Sequence, residues 1–140
     1  MVRALLDTNV VSELQRQQCA PQVRACVDEF DEEELFLSVI TLGEIVKGIA
    51  LLPIGKRRRE LVTWKLGLEH QFSSHILSVD SGTAERWGEL SANVQLSGST
   101  ISVEDGLIAA TALRHGLHVM TRNTRHFSAT GTQVINPWEW

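Results

Sequence analysis

The chain has 140 residues, 43% hydrophobic and 21% charged, enough for one domain with its own core and too few for two. No apolar run reaches the roughly 18 residues of a membrane span. The opening Met1-Val2-Arg3-Ala4-Leu5-Leu6-Asp7 meets a charge before a signal-peptide core could form, so the reading is cytoplasmic, with no export and no membrane partner. The net charge of −4 advertises no nucleic acid, but six of the acids lie between Asp28 and Glu34.

In chain order, residues 2–6 read as a short buried strand ending at Asp7. Residues 9–18 follow with Val10, Val11 and Leu14 at helical spacing. After Pro21, Val23, Cys26, Val27 and Phe30 mark a second amphipathic helix. Residues 35–39 form the second strand. Leu42, Ile45, Val46 and Ile49 make the next helical stripe, which stops near Pro53-Ile54-Gly55. A longer helix covers residues 57–69 with Leu61, Val62 and Leu66 turned inward. Its start carries the basic run Lys56-Arg57-Arg58-Arg59, readable either as a solvated face or as a phosphate contact. Residues 76–79 are a third strand, and residues 83–96 a helix. Residues 103–115 make a strongly apolar helix that Gly116 terminates. Residues 117–121 are the fourth strand and Val134-Ile135 a short fifth. Cys19 and Cys26 have no zinc-like spacing and read as free thiols in a reducing compartment.

Strands alternating with helices specify a three-layer α/β/α architecture, a mainly parallel sheet of about five strands covered on both faces. Ligands of such sheets bind beyond the carboxyl ends of the strands, where strand order reverses. Asp7 stands at such an end, although Asp is also a common helix cap. Glu44 follows the second strand inside Thr41-Leu42-Gly43-Glu44, a pattern that also reads as a capping box. Asp105 falls in Ser102-Val103-Glu104-Asp105, again a helix-start signature. The apolar helix behind it leaves a buried carboxylate in need of a cation. Asp80 ends the third strand in the same manner. Carboxylates gathered in one crevice repel each other unless a hard cation holds them, and the usual chemistry of such a pocket is phosphoryl transfer. None of the histidines stands in a nucleophile motif, and no glycine-rich phosphate loop is present. The four tryptophans read as core or tail packing.

The run Leu5-Leu6-Asp7-Thr8-Asn9-Val10-Val11-Ser12-Glu13 resembles the opening of PIN-domain proteins, in particular VapC-type toxins. Ser38-Val39-Ile40-Thr41-Leu42-Gly43-Glu44-Ile45 is similar to their second block, Asp105-Gly106-Leu107-Ile108-Ala109-Ala110-Thr111-Ala112 to the third, and Thr121-Arg122-Asn123 to the fourth. The closing Ile135-Asn136-Pro137-Trp138 resembles the FitB-like branch. The blocks occur in order, and the resemblance spans essentially all of residues 1–140 as a single PIN domain.

That resemblance implies a metal-dependent endoribonuclease, the toxin of a type II toxin–antitoxin pair. Asp7, Glu44 and Asp105 would hold Mg2+ or Mn2+, directly or through water, and Asn123 would orient the attacking water. Thr8, Asn9, Thr121 and Arg122 would support the carboxylates or contact RNA, with residues 56–59 and Arg125 along the RNA path. It further implies a homodimer and a VapB-like antitoxin whose C-terminal segment blocks the site. Operator DNA would be reached only through that antitoxin. Two departures stand out. Asn123 replaces a frequent fourth acid, which leaves three formal charges. His126 replaces an Asp common before the phenylalanine and reads as peripheral. Asp80 is expected on an edge strand, away from the site. Two other readings remain: a non-catalytic PIN-fold binding module, and a haloacid-dehalogenase-type phosphohydrolase, whose second Asp is Asn9 here.

Overall fold

Successive side chains of a strand point to opposite faces of the sheet. In the computed structural model, which describes all 140 residues, this alternation divides the core in two. The strands are β1 (Ala4–Leu6), β2 (Leu35–Ser38), β3 (Ile76–Leu77), β4 (His118–Met120) and β5 (Val134–Ile135). They lie in the order β3-β2-β1-β4-β5 with every neighbouring pair parallel. Ala4, Leu6, Leu35, Leu37 and Met120 face one core, and Leu5 and Val119 the other.

Seven helices cover the two faces: α1 (Thr8–Leu14), α2 (Pro21–Asp28), α3 (Val39–Ala50), α4 (Lys56–Gln71), α5 (Ser81–Leu96), α6 (Val103–His115) and α7 (Thr124–Phe127). Val10 and Val11 of α1, Val23 and Cys26 of α2, Ile45 and Ile49 of α3 and Leu68 of α4 fill the first core. Leu90 of α5, Ile108, Ala109 and Ala112 of α6 and Phe127 of α7 fill the second. Each large side chain fully buried in this way contributes about 1.5–3 kcal/mol. No helix is long and apolar enough to cross a membrane. Both cysteines are free, and burial pushes the Cys26 thiol up to about 11, which leaves it in its unreactive form.

The three-layer parallel architecture follows the expectation, and α6 and β5 keep their expected limits. Ser102 caps α6 by accepting from the Asp105 amide, and Gly116 ends it with φ of 67°, a left-handed conformation that suits glycine. Other expectations need correction. The first helix ends at Leu14, because Arg16 N–H turns back to the Glu13 carbonyl and the Glu13 carboxylate takes the amide of Ala20. Val62 and Leu66 are not inward: they are 43% and 60% exposed, since the stripe of α4 that packs into the first core is Leu61, Trp64 and Leu68. Val46 is likewise exposed. Trp64 and Trp138 pack on the first core, whereas Trp140 is exposed.

Candidate functional site

The chain leaves β1 for β2 on one side and returns through β4 on the other, so strand order reverses at the carboxyl end of β1. Asp7 is the residue that arrives there. Its amide donates to the Met120 carbonyl at 2.9 Å, which carries the β1–β4 ladder one residue past β1. It also caps α1: Oδ1 accepts from the Thr8 amide at 2.9 Å. Oδ2 accepts from the Thr121 hydroxyl at 2.9 Å and from the Asn9 amide at 3.3 Å. With 5% of its surface exposed, the side chain is buried. Burial pushes its carboxyl above the ordinary value, the bonds from Thr121 and Thr8 oppose this, and the charge of Asp105 adds to the rise.

Glu44 reaches the same crevice from α3. The capping-box reading fails, because Ser38, not Thr41, caps α3, its hydroxyl accepting from the Ile40 amide at 3.0 Å. Thr41 is a buried residue of the first turn, and Glu44 lies a turn further along. Its Oε1 accepts from the Thr8 hydroxyl at 2.7 Å. Burial raises its pKa, the Thr8 bond opposes, and the charges of Asp7, Asp105 and Glu104 add to the rise. Thr8 therefore touches both acids, one through its backbone and one through its side chain.

Asp105 opens α6 on the other wall. Its Oδ2 lies 3.0 Å from the His126 Nδ1. The helix start is not buried as expected, since residues 102–104 are exposed and Asp105 is only half-buried. The partner of Asp105 is this imidazole, and His126 is not peripheral. The missing signal is understandable: α7 has four residues, too few to show a helical period, and the two residues stand 21 positions apart.

The remaining expected residues divide in two. Asn9 ties the crevice together, its Oδ1 accepting from the Arg122 amide while its amide group faces Asp7 and Thr121. Thr121, fully buried, also accepts from the Asn123 amide at 3.0 Å. Asn123 is exposed at the lip, and its side chain caps nothing. The Arg122 guanidinium turns to the Trp138 ring, 5.0 Å from its centroid. Of the basic run, Lys56 and Arg57 pair with Glu60. Asp80 caps α5 beyond the edge strand β3 and pairs with Arg114 at 3.5 Å.

The donor set fits a hard divalent ion in its chemistry: carboxylate oxygens only, two of them on acids whose pKa is raised by burial and by neighbouring negative charge, the imbalance a cation relieves. No three His, Cys, Asp or Glu side chains are gathered tightly enough to grip one ion among them. Ligation partly through water is the usual mode of magnesium.

Comparison with known proteins finds relatives that match nearly the whole chain. A sequence model of the PIN domain matches residues 4–132. The VapC ribonuclease Y4jK of Sinorhizobium fredii is 40% identical over 139 residues, covering 96% of this chain and 97% of the relative. Toxin FitB of Neisseria gonorrhoeae is 38% identical over 135 residues, with 96% and 97% covered. The structure of FitAB bound to an IR36 DNA fragment superposes with a TM-score of 0.91 at 38% identity, covering 96% of this chain and 95% of the other.

Proposed function

This chain belongs to the PIN-domain family, and we propose that it is a metal-dependent endoribonuclease, the toxin of a type II toxin–antitoxin pair. The observation that carries the reading is the mutual charge of Asp7, Glu44 and Asp105 at the point where strand order reverses. These three side chains would hold Mg2+ or Mn2+, directly or through water. Bound there, the ion supplies a water of lowered pKa and offsets charge on the phosphate.

The rest of the work falls to the chain itself. Thr121 and Thr8 fix the carboxylate planes of Asp7 and Glu44 by hydrogen bonds of 2.9 and 2.7 Å. Asn9 holds α1 against the Thr121–Asn123 turn. His126 fixes the orientation of Asp105. Asn123, exposed at the lip, orients water without adding charge, so a second ion binds more weakly than in a four-acid site. Arg122, engaged with Trp138, contributes its backbone amide to the crevice and its charge to the nearby rim.

RNA is the substrate in this reading. A cognate antitoxin covers the acids with its C-terminal segment, and operator DNA is reached through that antitoxin, a reading supported by the DNA-bound FitAB relative. The active form is a homodimer of this single domain. The neutral Asn123 and the absence of a tight three-donor grouping favour one second reading, a PIN-fold module that binds RNA without cutting it. Purified chain incubated with structured and single-stranded RNAs, in manganese, magnesium or chelator, decides between them. Metal-dependent cleavage that Asp105→Asn abolishes is the expected result. RNA binding without cleavage in any metal would leave the binding module.

A further inference from the structure

Two recesses meet along Thr100–Ser102. The first, of about 290 Å³, is walled by Thr100, Ser102, Asp105, Arg125 and His126. The second, of about 270 Å³, continues from the same Thr100–Ser102 segment between α5 and α6, against Trp87, Ser91 and Gln95. We propose that together they bind one nucleotide of single-stranded RNA next to the scissile bond, its phosphate in the first recess and its base in the second. This deepens the ribonuclease reading and rests on it.

The first recess has the chemistry of a phosphate site. None of the molecule's ion pairs engages Arg125, so in an acidic protein a planar guanidinium stands unpaired beside two hydroxyls. That fork matches phosphate oxygens and is at its strongest when both partners are charged. His126 lines the recess together with Asp105 and lies 3.0 Å from its carboxylate, a contact that fixes the ring in the recess wall.

The second recess offers an aromatic side chain, a hydroxyl and an exposed amide, the combination that proteins use to hold and read an unstacked base. Its rim is preformed. Gly98 takes φ of 83° at the end of α5, and Ser97 and Ser99 bond back to the Val94 carbonyl at 2.7 and 3.1 Å. Trp87 has a buried indole N–H without an acceptor. It sits against Gly106, where a Cβ would lie 2.9 Å from Nε1. Gly106 follows Asp105 directly, so whatever packs on Trp87 adjoins the segment that carries the acid. A recess that accepts only some bases would in this way select which phosphates come to the metal site.

Two measurements test the proposal. The first maps cut sites in a random single-stranded RNA pool and takes KM and kcat on one preferred sequence. Gln95→Ala is expected to relax the base preference at one position beside the cut. Arg125→Ala is expected to raise KM about tenfold with kcat nearly unchanged. An unaltered cut-site pattern together with an unaltered KM would overturn the subsite while leaving the ribonuclease standing. The second needs no cleavage: the Trp87 indole N–H resonance is followed as short single-stranded RNAs are added in chelator. A saturating shift that Arg125→Ala weakens supports the subsite even for a chain that cuts nothing. No shift at Trp87, or variants that weaken antitoxin binding and leave RNA binding untouched, would overturn it.

Discussion

Asp7 and Asp80 are alike in sequence and opposite in structure. Each follows a strand and caps the next helix, with a carboxylate oxygen accepting a backbone amide at 2.9 Å. Asp7 leaves the central strand at the reversal of strand order, is 5% exposed, and has its pKa pushed up by burial. Asp80 leaves the edge strand and stands exposed beside Arg114. Hydrogen bonds from Thr83 pull its pKa down, and Arg114 adds to this. The same local device serves as a cap at the edge and as a charged, costly group at the centre. Place in the sheet, not the motif, makes the difference: a buried carboxylate near two others gains from a cation, and a solvated one beside an arginine does not.

The comparison breaks first at activity. Asp7→Asn is expected to lower RNA cleavage by on the order of a thousandfold or more, with Asp80→Asn close to wild type in the same assay. Equal losses would remove the distinction. Glycines extend the contrast to backbone packing. Gly106→Ala forces a Cβ to 2.9 Å from the Trp87 indole, whereas the same change at Gly88 meets nothing within 4 Å. Urea unfolding should show Gly106→Ala destabilised by about 1–3 kcal/mol through overpacking. Gly88→Ala should be stabilised by roughly 1 kcal/mol, the helix propensity gain.

Stability against pH sharpens the contrast further. The folded-state pKa of Asp7 and Glu44 is raised, so the folded protein binds more protons than the unfolded chain between the two values. Stability contributed by these acids is complete below their unfolded values and is lost as pH rises through the folded ones. For Asp80 the sign is reversed: its contribution is present above its unfolded value and is lost as pH falls through the lowered one. Unfolding curves from about pH 3 to 8 should therefore show Asp7→Asn relieved of the loss on the rising side. The smallest effect belongs to Asp80→Asn, which keeps a capping oxygen for the Thr83 amide and removes the charge: a slight drop in Tm confined to pH values where Asp80 is ionised. A drop that persists at acid pH would assign that effect to the cap rather than to the charge.

What could be read from the sequence follows the same division. The apolar helix of residues 103–115 declares both its ends, because Ser102 and Gly116 are local signals that the fold keeps. The alternation of strands and helices gives the three layers. Strand order is not local, and it separates Asp7 from Asp80; the family resemblance implies only that Asp80 lies on an edge strand. Glu44 was obscured by a neighbouring Thr that mimics a cap, while the true cap, Ser38, sits three residues earlier on the end of β2. His126 was unreadable as a contact of Asp105 because the pair is made by α6 and the short α7. The outward turn of Val62 and Leu66 shows a further limit: several apolar residues on one helix do not say which stripe a neighbour will cover.

In the proposed reading, Asp7 at the end of β1 and Glu44 and Asp105 beside it, and not the similar acid at the sheet edge, form a divalent-metal site. Its most direct test is the shift in Tm on adding millimolar manganese to wild type, Asp7→Asn and Asp80→Asn, reversed with chelator. A ligand that binds only the folded state must raise Tm. A rise in wild type and Asp80→Asn that is absent in Asp7→Asn is the expected result. An equal rise in all three, or none in wild type, would contradict the account.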